Sequence, residues 1–203
     1  KQGVANYFGA QRFGPGDASL REAERFLRYG RAPRSRKEEF LVSVFQAALF
    51  NAWLDERVRT GLFAQPLEGD VMWKAGNHAP FTCTEPSVDA ERMARQEILL
   101  TGPLFGSQMR RPGSDALTFE SRSLAATGVV EDALLSHPAL QVGARRASRL
   151  IPEEVRTAPV DGGVEFSFLL PSGCYATVLL REICGPRWVD AAADDPRGDP
   201  FVA

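Results

Sequence analysis

The sequence has little of what metal and redox sites are usually built from. Its 203 residues include three cysteines and two histidines, and no cysteines form a C-x-x-C pair. A sparse, odd number of cysteines predicts reduced thiols and a cytoplasmic protein. The two histidines add no metal-ligand spacing, so we expect no metal ion.

Long apolar runs and familiar catalytic motifs are also missing. No apolar stretch is long enough to cross a bilayer, so no membrane association is expected. The sequence contains no Walker A loop, no G-x-S-x-G elbow, no H-E-x-x-H motif and no dinucleotide fingerprint. These absences exclude the enzyme classes that those motifs mark.

Charge is unevenly distributed, although the formal net charge is only -2. Residues 1–37 carry nine Lys or Arg against three acidic residues, and residues 140–151 carry three arginines and no carboxylate. These two basic segments are candidates for a local RNA-binding surface. Residues 189–203 are rich in aspartate and predict a disordered acidic tail.

Periodicity and breaker residues predict an α+β fold. Leu41 and Val44 belong to an apolar stripe of core residues that begins at Phe40 and ends at Val58. The sequence Thr101-Gly102-Pro103 predicts the end of a helix. The predicted helices cover residues 18–29, 37–60, 88–100, 115–127, 143–150 and 175–184, and the predicted strands cover 71–74, 81–84 and 164–170.

Residues 6–14, with the sequence NYFGAQRFG, combine aromatic rings, amides, a guanidinium and glycines. A loop that stacks on bases and contacts phosphates uses these groups. A buried aromatic loop that ties two elements together would use them as well. The residue types alone leave both interpretations open.

Residues 3–14 resemble the signature G-V-P-N-Y-F-G-x-Q-R-F-G of the TruD family of tRNA pseudouridine synthases, except that Ala5 replaces the proline. Three further segments resemble TruD motifs in the same order. They are 46–51 with Arg57 (S-x-L-F-N-x-x-L-x-x-R), 101–106 (T-G-P-L-F-G), and 170–177 with 180–182 (L-P-x-G-x-[FY]-A-T…R-E).

The resemblance implies a domain organisation. Residues 1–155 would form the TruD insertion domain, with helices and a small sheet, and the motif at 3–14 would lead into it. Residues 160–188 would supply the last strand and helix of the catalytic domain. The nucleophilic aspartate, in the motif K-D-x-x-A-x-T, would lie upstream of Lys1. This chain alone would then have no catalytic residue and be inactive.

The function implied is isomerisation of uridine to pseudouridine at position thirteen of tRNA. The reaction needs no cofactor, the partner would be tRNA, and the complete protein is expected to be a monomer. Two alternatives remain open at this point. The chain could be a non-enzymatic RNA-binding module or truncated paralogue, or an unrelated α+β interaction domain.

The resemblance also assigns site residues. Tyr175 falls where the family places an aromatic ring against the target base, although it could instead pack the strand–helix junction. Arg181 and Glu182 would support the site as a local ion pair, unless they are simply solvated on a helix surface. The RNA-binding candidates are Asn6, Tyr7, Gln11, Arg12, Arg110, Arg111, Arg145, Arg146 and Arg149, each of which could equally be a solvated or internally paired side chain.

Overall fold

The computed structural model describes residues 3–185, and the predicted acidic tail at 189–203 lies outside this range. The helices are α1 (Ala18–Leu27), α2 (Arg36–Arg59), α3 (Pro86–Ala94), α4 (Ser114–Ala126), α5 (Glu131–Ser136) and α6 (Ala176–Cys184). The strands are β1 (Val4–Ala5), β2 (Val71–Lys74), β3 (Pro80–Thr82), β4 (Ile98–Leu104), β5 (Ala144–Ala147), β6 (Arg149–Leu150), β7 (Glu153–Val160) and β8 (Gly163–Leu169).

A four-stranded antiparallel sheet with the order β3-β2-β4-β5 lies at the centre of the described residues. Helix α2 packs across β4, and its Phe50, Trp53 and Leu54 are buried against Met72 and Leu100 of the sheet. The strands predicted at 71–74 and 81–84 form an antiparallel hairpin of β2 and β3, although β3 ends at Thr82. A second apolar cluster joins the first half of α2 to α1 and α4.

Helix α2 matches the helix predicted at 37–60, but its buried stripe differs at both ends. Phe40 and Val58 are 41% and 44% exposed, so these members of the predicted stripe are not core residues. Arg57 is fully buried instead, because its guanidinium pairs with the buried carboxylate of Asp70 at 2.5 Å. An apolar pattern does not anticipate a buried ion pair.

The helix predicted at 88–100 is wrong beyond residue 94. Helix α3 ends there, and Gln96 turns the chain with a φ of 61° into β4. Thr101-Gly102-Pro103 therefore lies inside a strand and does not end a helix. Proline is tolerated at Pro103 because β4 pairs with β2 only over residues 98–100 and has β5 alone beside it afterwards.

The helix predicted at 143–150 is also wrong, because this segment forms β5 and β6. Strand β5 extends the sheet beside β4, and β6 pairs with β1 in a separate two-stranded ribbon. Helical periodicity was a poor guide here because the segment has only short apolar stretches. Its adjacent Arg145 and Arg146 instead point to opposite faces of β5, as successive side chains of a strand do.

Strands β7 and β8 form an antiparallel hairpin, which confirms the strand predicted at 164–170. All eight residues of β7 are exposed. Strand β7 includes residues 155–160, which were predicted to separate the two domains. Helix α6 follows it, as predicted, and buries Leu179 and Leu180.

Candidate functional site

The loop after β1 is held against β5 by Asn6. The Asn6 amide donates to the Ala147 carbonyl at 2.9 Å, and its backbone N–H donates to the Ser148 carbonyl at 2.9 Å. Asn6 is only 4% exposed. This sequence-predicted RNA-binding residue therefore uses its amide nitrogen to fix the start of the motif loop, defined here as residues 6–13.

Arg146 joins the motif loop to the loop before α6. Its guanidinium donates to the side-chain oxygen of Asn6 at 2.8 Å and to the Gly173 carbonyl at 2.9 Å. The same group lies 4.0 Å from the centre of the Phe8 ring. Burial lowers the pKa of Arg146, while the neighbouring Cys174 and Tyr175 act in the opposite direction. One partly buried cation thus links two segments that are far apart in sequence.

Tyr175 lies at this junction. Its ring and that of Phe8 are 5.9 Å apart in an edge-on arrangement. The motif loop approaches closely because Gly9 has no side chain: a Cβ there would lie 3.2 Å from the Tyr175 ring. Gln11 also reaches across and accepts a hydrogen bond from Thr177 of α6 at 3.0 Å. The structure therefore brings the first and last motifs of the chain together.

Tyr7 and Arg12, the two other RNA-binding candidates in the motif loop, contact α2. The Tyr7 hydroxyl donates to Asp55 at 3.4 Å, and burial, followed by Asp55, raises the pKa of Tyr7 to about 12. The Arg12 guanidinium donates to Ser43 at 2.6 Å and lies over the Phe40 ring at 5.0 Å. Both side chains are partly exposed at the surface of α2.

A cavity of about 510 Å³ opens beside this junction. Asn6, Arg146 and Cys174 line the end that adjoins Phe8 and Tyr175, and Trp73 and His78 of the β2–β3 hairpin line another part. A pocket of this size, apolar with a few convergent polar groups, has the usual character of a ligand site. Burial raises the pKa of Cys174 against the opposing effect of Arg146, so the thiol is not activated.

The remaining arginine candidates have partners within the protein. Arg145 is buried and forms a two-pronged ion pair with Glu120, at 2.7 and 3.2 Å. Arg111 pairs with Glu131 on another part of the surface, and Arg110 donates to the β3 residues Pro80 and Thr82 at 3.3 Å. These internal partners occupy the guanidinium groups, so we do not carry the three arginines into the proposed function.

Arg149 differs from these because its Nε is buried without a hydrogen-bond partner. The residue is 6% exposed and lines the cavity. All three arginines of the predicted basic segment line the cavity. Arg145 is paired with Glu120, Arg146 is hydrogen-bonded to Asn6 and Gly173, and the Arg149 guanidinium lies 5.3 Å from the centre of the Phe63 ring.

Arg181 and Glu182 do not form the expected ion pair, which agrees with the alternative of a solvated helix surface, and their support of the site stays a prediction. Both residues are exposed on α6, and neither forms an ion pair within the described residues. Adjacent positions on a helix point about 100° apart, so two neighbouring side chains do not face each other. Their proximity in the sequence was misleading.

The described residues contain no group of three or more His, Cys, Asp or Glu placed to hold a metal ion. Within residues 3–185, none of the helices has the length and apolar character needed to cross a membrane. The candidate site thus consists of aromatic rings, amides and two guanidinium groups around a cavity.

Comparison with known proteins identifies the family. A family model described as tRNA pseudouridine synthase D (TruD) matches residues 31–183. The chain belongs to the TruD family. The tRNA pseudouridine synthase D of Anaeromyxobacter sp. (strain Fw109-5) is 39% identical over 207 residues, which cover 98% of this chain and 57% of the relative. That of Thermus thermophilus is 33% identical, over 97% of this chain and 54% of the relative.

This TruD chain spans about half the length of those curated relatives. A crystal structure of tRNA pseudouridine synthase D from Methanosarcina mazei superposes with a TM-score of 0.65 and 19% identity, covering 89% of this chain and 61% of that chain. This likeness shows the fold and confirms the α+β class. The relatives are named for an isomerase activity on tRNA.

Three residues of the candidate site were not identified from the sequence. Asn51 accepts from the Phe8 backbone N–H at 2.8 Å and donates back to its carbonyl at 3.0 Å, fixing the motif loop on α2. Its place in the second TruD-like segment was the available signal. Phe8 was part of the quoted motif, but its contacts with Arg146 and Tyr175 depend on long-range pairing. Trp73 had no signal beyond its position beside a turn.

Proposed function

We propose that this chain is part of a tRNA pseudouridine synthase that isomerises uridine to pseudouridine at position thirteen of tRNA. The observation that carries the proposal is the convergence of the motif loop and the Gly173–Tyr175 loop on Arg146, beside an open cavity. Family membership supplies the reaction class. The geometry supplies a place where an unstacked base could be held.

In this proposal, Tyr175 stacks on the target base after the base has left the helix stack. Extruding a base costs a few kcal/mol, and an aromatic contact returns about 1–3 kcal/mol. Phe8 supports the Tyr175 ring from its edge. After the glycosidic bond breaks, the detached uracil must turn before C5 rejoins the ribose, and a ring face limits that motion to the plane of the base.

Arg146, Asn6, Gln11 and Arg12 bind or position the RNA in this scheme. Arg146 has its guanidinium held in place by two backbone carbonyls, of Asn6 and Gly173, so little further ordering is needed when RNA binds. Tyr7 stays protonated through the physiological range, because its pKa is about 12, and it can therefore donate a hydrogen bond. The nucleophilic aspartate is proposed to lie in the part of the protein that precedes Lys1.

The test uses the complete protein and measures pseudouridine formation in a tRNA transcript. Tyr175→Ala is expected to lower the rate at least tenfold, because stacking worth more than about 1.4 kcal/mol is lost, and Tyr175→Phe is expected to retain most of it. Wild-type turnover by the Tyr175→Ala variant would remove the stacking role. Pseudouridine formation by residues 1–203 alone would contradict the proposed position of the nucleophile.

A further inference from the structure

The part of the cavity between β6 and the β2–β3 hairpin is not used by the chemistry proposed above. Arg149 lies in it with a buried Nε that has no hydrogen-bond partner. Its guanidinium lies 5.3 Å from the centre of the Phe63 ring and forms no ion pair within the described residues, and burial lowers its pKa. A buried donor without a partner is costly, and a phosphate oxygen bound in the cavity would supply an acceptor for it.

The walls of this part of the cavity also present a flat aromatic surface. Trp73 and His78 stack across the hairpin with ring centres 5.1 Å apart and planes inclined by 25°. Trp73 is partly exposed and His78 is exposed. A planar group that entered the cavity could extend this stack, because indole rings bind bases through their faces.

The charge of the cavity favours an anionic occupant. Arg145, Arg146 and Arg149 line it, and the charge of Arg145 is balanced by Glu120. Among the described lining residues the one carboxylate is that of Glu153, which is exposed. A guanidinium binds phosphate oxygens through two parallel hydrogen bonds, which suits a phosphodiester. The cavity therefore offers a phosphate partner and a stacking face within one volume of about 510 Å³.

We propose that this part of the cavity binds the nucleotide next to the target uridine, with its phosphate on Arg149 and its base against Trp73. The inference rests on the proposed function, because it takes the occupant to be the same RNA strand whose target base lies at Tyr175. Arg146 and Arg149 line the same cavity, and we take the two nucleotides to be neighbours along the strand for that reason. Trp73 and Arg149 then help to determine which sequence context is accepted.

The first experiment measures the affinity of the complete protein for a tRNA transcript as a function of salt concentration. Arg149→Gln is expected to reduce the slope of log K against log[salt] by about 0.7–0.9, the value for one lost phosphate contact. The matched control is Arg95→Gln, which removes one exposed charge just after α3 and should leave the slope unchanged. Equal slopes for Arg149→Gln and wild type would overturn the phosphate contact.

The second experiment separates stacking from packing at Trp73. Trp73→Ala is expected to weaken tRNA binding about tenfold, and Trp73→Phe to restore most of the loss, because a phenyl ring still stacks. Unchanged affinity in Trp73→Ala would overturn the base contact. If Arg149→Gln does not fold, the two Trp73 variants decide the proposal.

These outcomes are distinguishable from failure of the proposed function. If the wild-type protein neither binds nor modifies tRNA, the proposed function fails and this inference fails with it. If the wild-type protein forms pseudouridine while the Trp73 and Arg149 variants bind as it does, the function stands and the neighbouring-nucleotide site is wrong.

Discussion

At the scale of single residues, adjacent arginines have different roles because they lie in a strand. Successive side chains of a strand point to opposite faces, so Arg145 meets Glu120 of α4 while Arg146 meets Asn6 and Phe8. The sequence presents the two as one basic cluster. Only the pairing of β5 with β4 tells them apart, and that pairing depends on residues more than forty positions away.

The Arg145–Glu120 pair provides a stability prediction. Its side chains are 4% and 3% exposed, so Glu120→Gln leaves an uncompensated buried charge and should destabilise the protein by about 3–5 kcal/mol. Urea unfolding of the variant measures this. The exposed pair Arg59–Glu56 is the control, since Glu56→Gln should cost less than about 1 kcal/mol. Equal effects of the two substitutions would contradict the structural role of the buried pair.

The cysteines give a second prediction at this scale. Cys83 is fully buried, and burial, with the nearby Asp89, raises its pKa to about 12. At pH 8 its thiolate fraction is therefore about one in ten thousand. Cys184 is exposed. Thiol labelling at pH 8, followed by peptide mapping, measures the difference. Cys184 should react within minutes, and Cys83 should react only after denaturant is added. Rapid labelling of Cys83 in the native protein would count against its burial.

At the scale of elements, helix α2 and the strands of the β2–β3 hairpin could be predicted from sequence, and strands β4 and β5 of the same sheet could not. Helix α2 has an N-cap at Ser35 that accepts a hydrogen bond from Glu38, and the β2–β3 hairpin has a clear turn. The central strand β4 was missed because Gly102 and Pro103 are helix and strand breakers. Tertiary contacts explain why the strand tolerates both residues. Pro103 lies beyond the part of β4 that pairs with β2, and Gly102 leaves room for the side chains of α2.

The position of Gly102 leads to a prediction about the packing of α2 on β4. A Cβ at this position would lie 2.2 Å from the Trp53 ring and 2.8 Å from the Phe50 ring, so Gly102→Ala should destabilise by about 1–3 kcal/mol. Thermal or urea unfolding measures the effect. Gly76→Ala is the matched control, because nothing lies within 4 Å of its Cβ, and it should change stability by less than about 0.5 kcal/mol. A neutral Gly102→Ala would mean that α2 and β4 are not in close contact.

At the scale of the whole molecule, the site is assembled from the two ends of the described chain. Asn6 and Arg146 are 140 residues apart, and Gln11 and Thr177 are 166 apart. Motif resemblance identified both ends, because each retains its local residue pattern. It could not identify Arg146 as the residue that joins them, since a lone arginine has no local pattern and its role depends on the closed fold.

The β7–β8 hairpin leads to the last prediction. It exposes Val155, Val160, Val164 and Leu169, each at least 50% accessible, and a two-stranded ribbon is marginally stable in water. If the hairpin belongs to the catalytic domain, the part of the protein that precedes Lys1 covers it. Hydrogen exchange should then be fast in β7 and β8 of the 203-residue chain and at least tenfold slower in the complete protein.

The strands β2 and β4 serve as the internal control for that comparison, because their buried residues and shared ladder should protect them equally in both proteins. Equal exchange of the hairpin in the two proteins, with β2 and β4 protected in each, would show that nothing covers the hairpin. The proposed division of the chain near residues 155–160 would then be wrong. Slower exchange confined to the hairpin would instead place these exposed valines at the contact between the two domains, because only a surface that becomes buried on assembly gains protection.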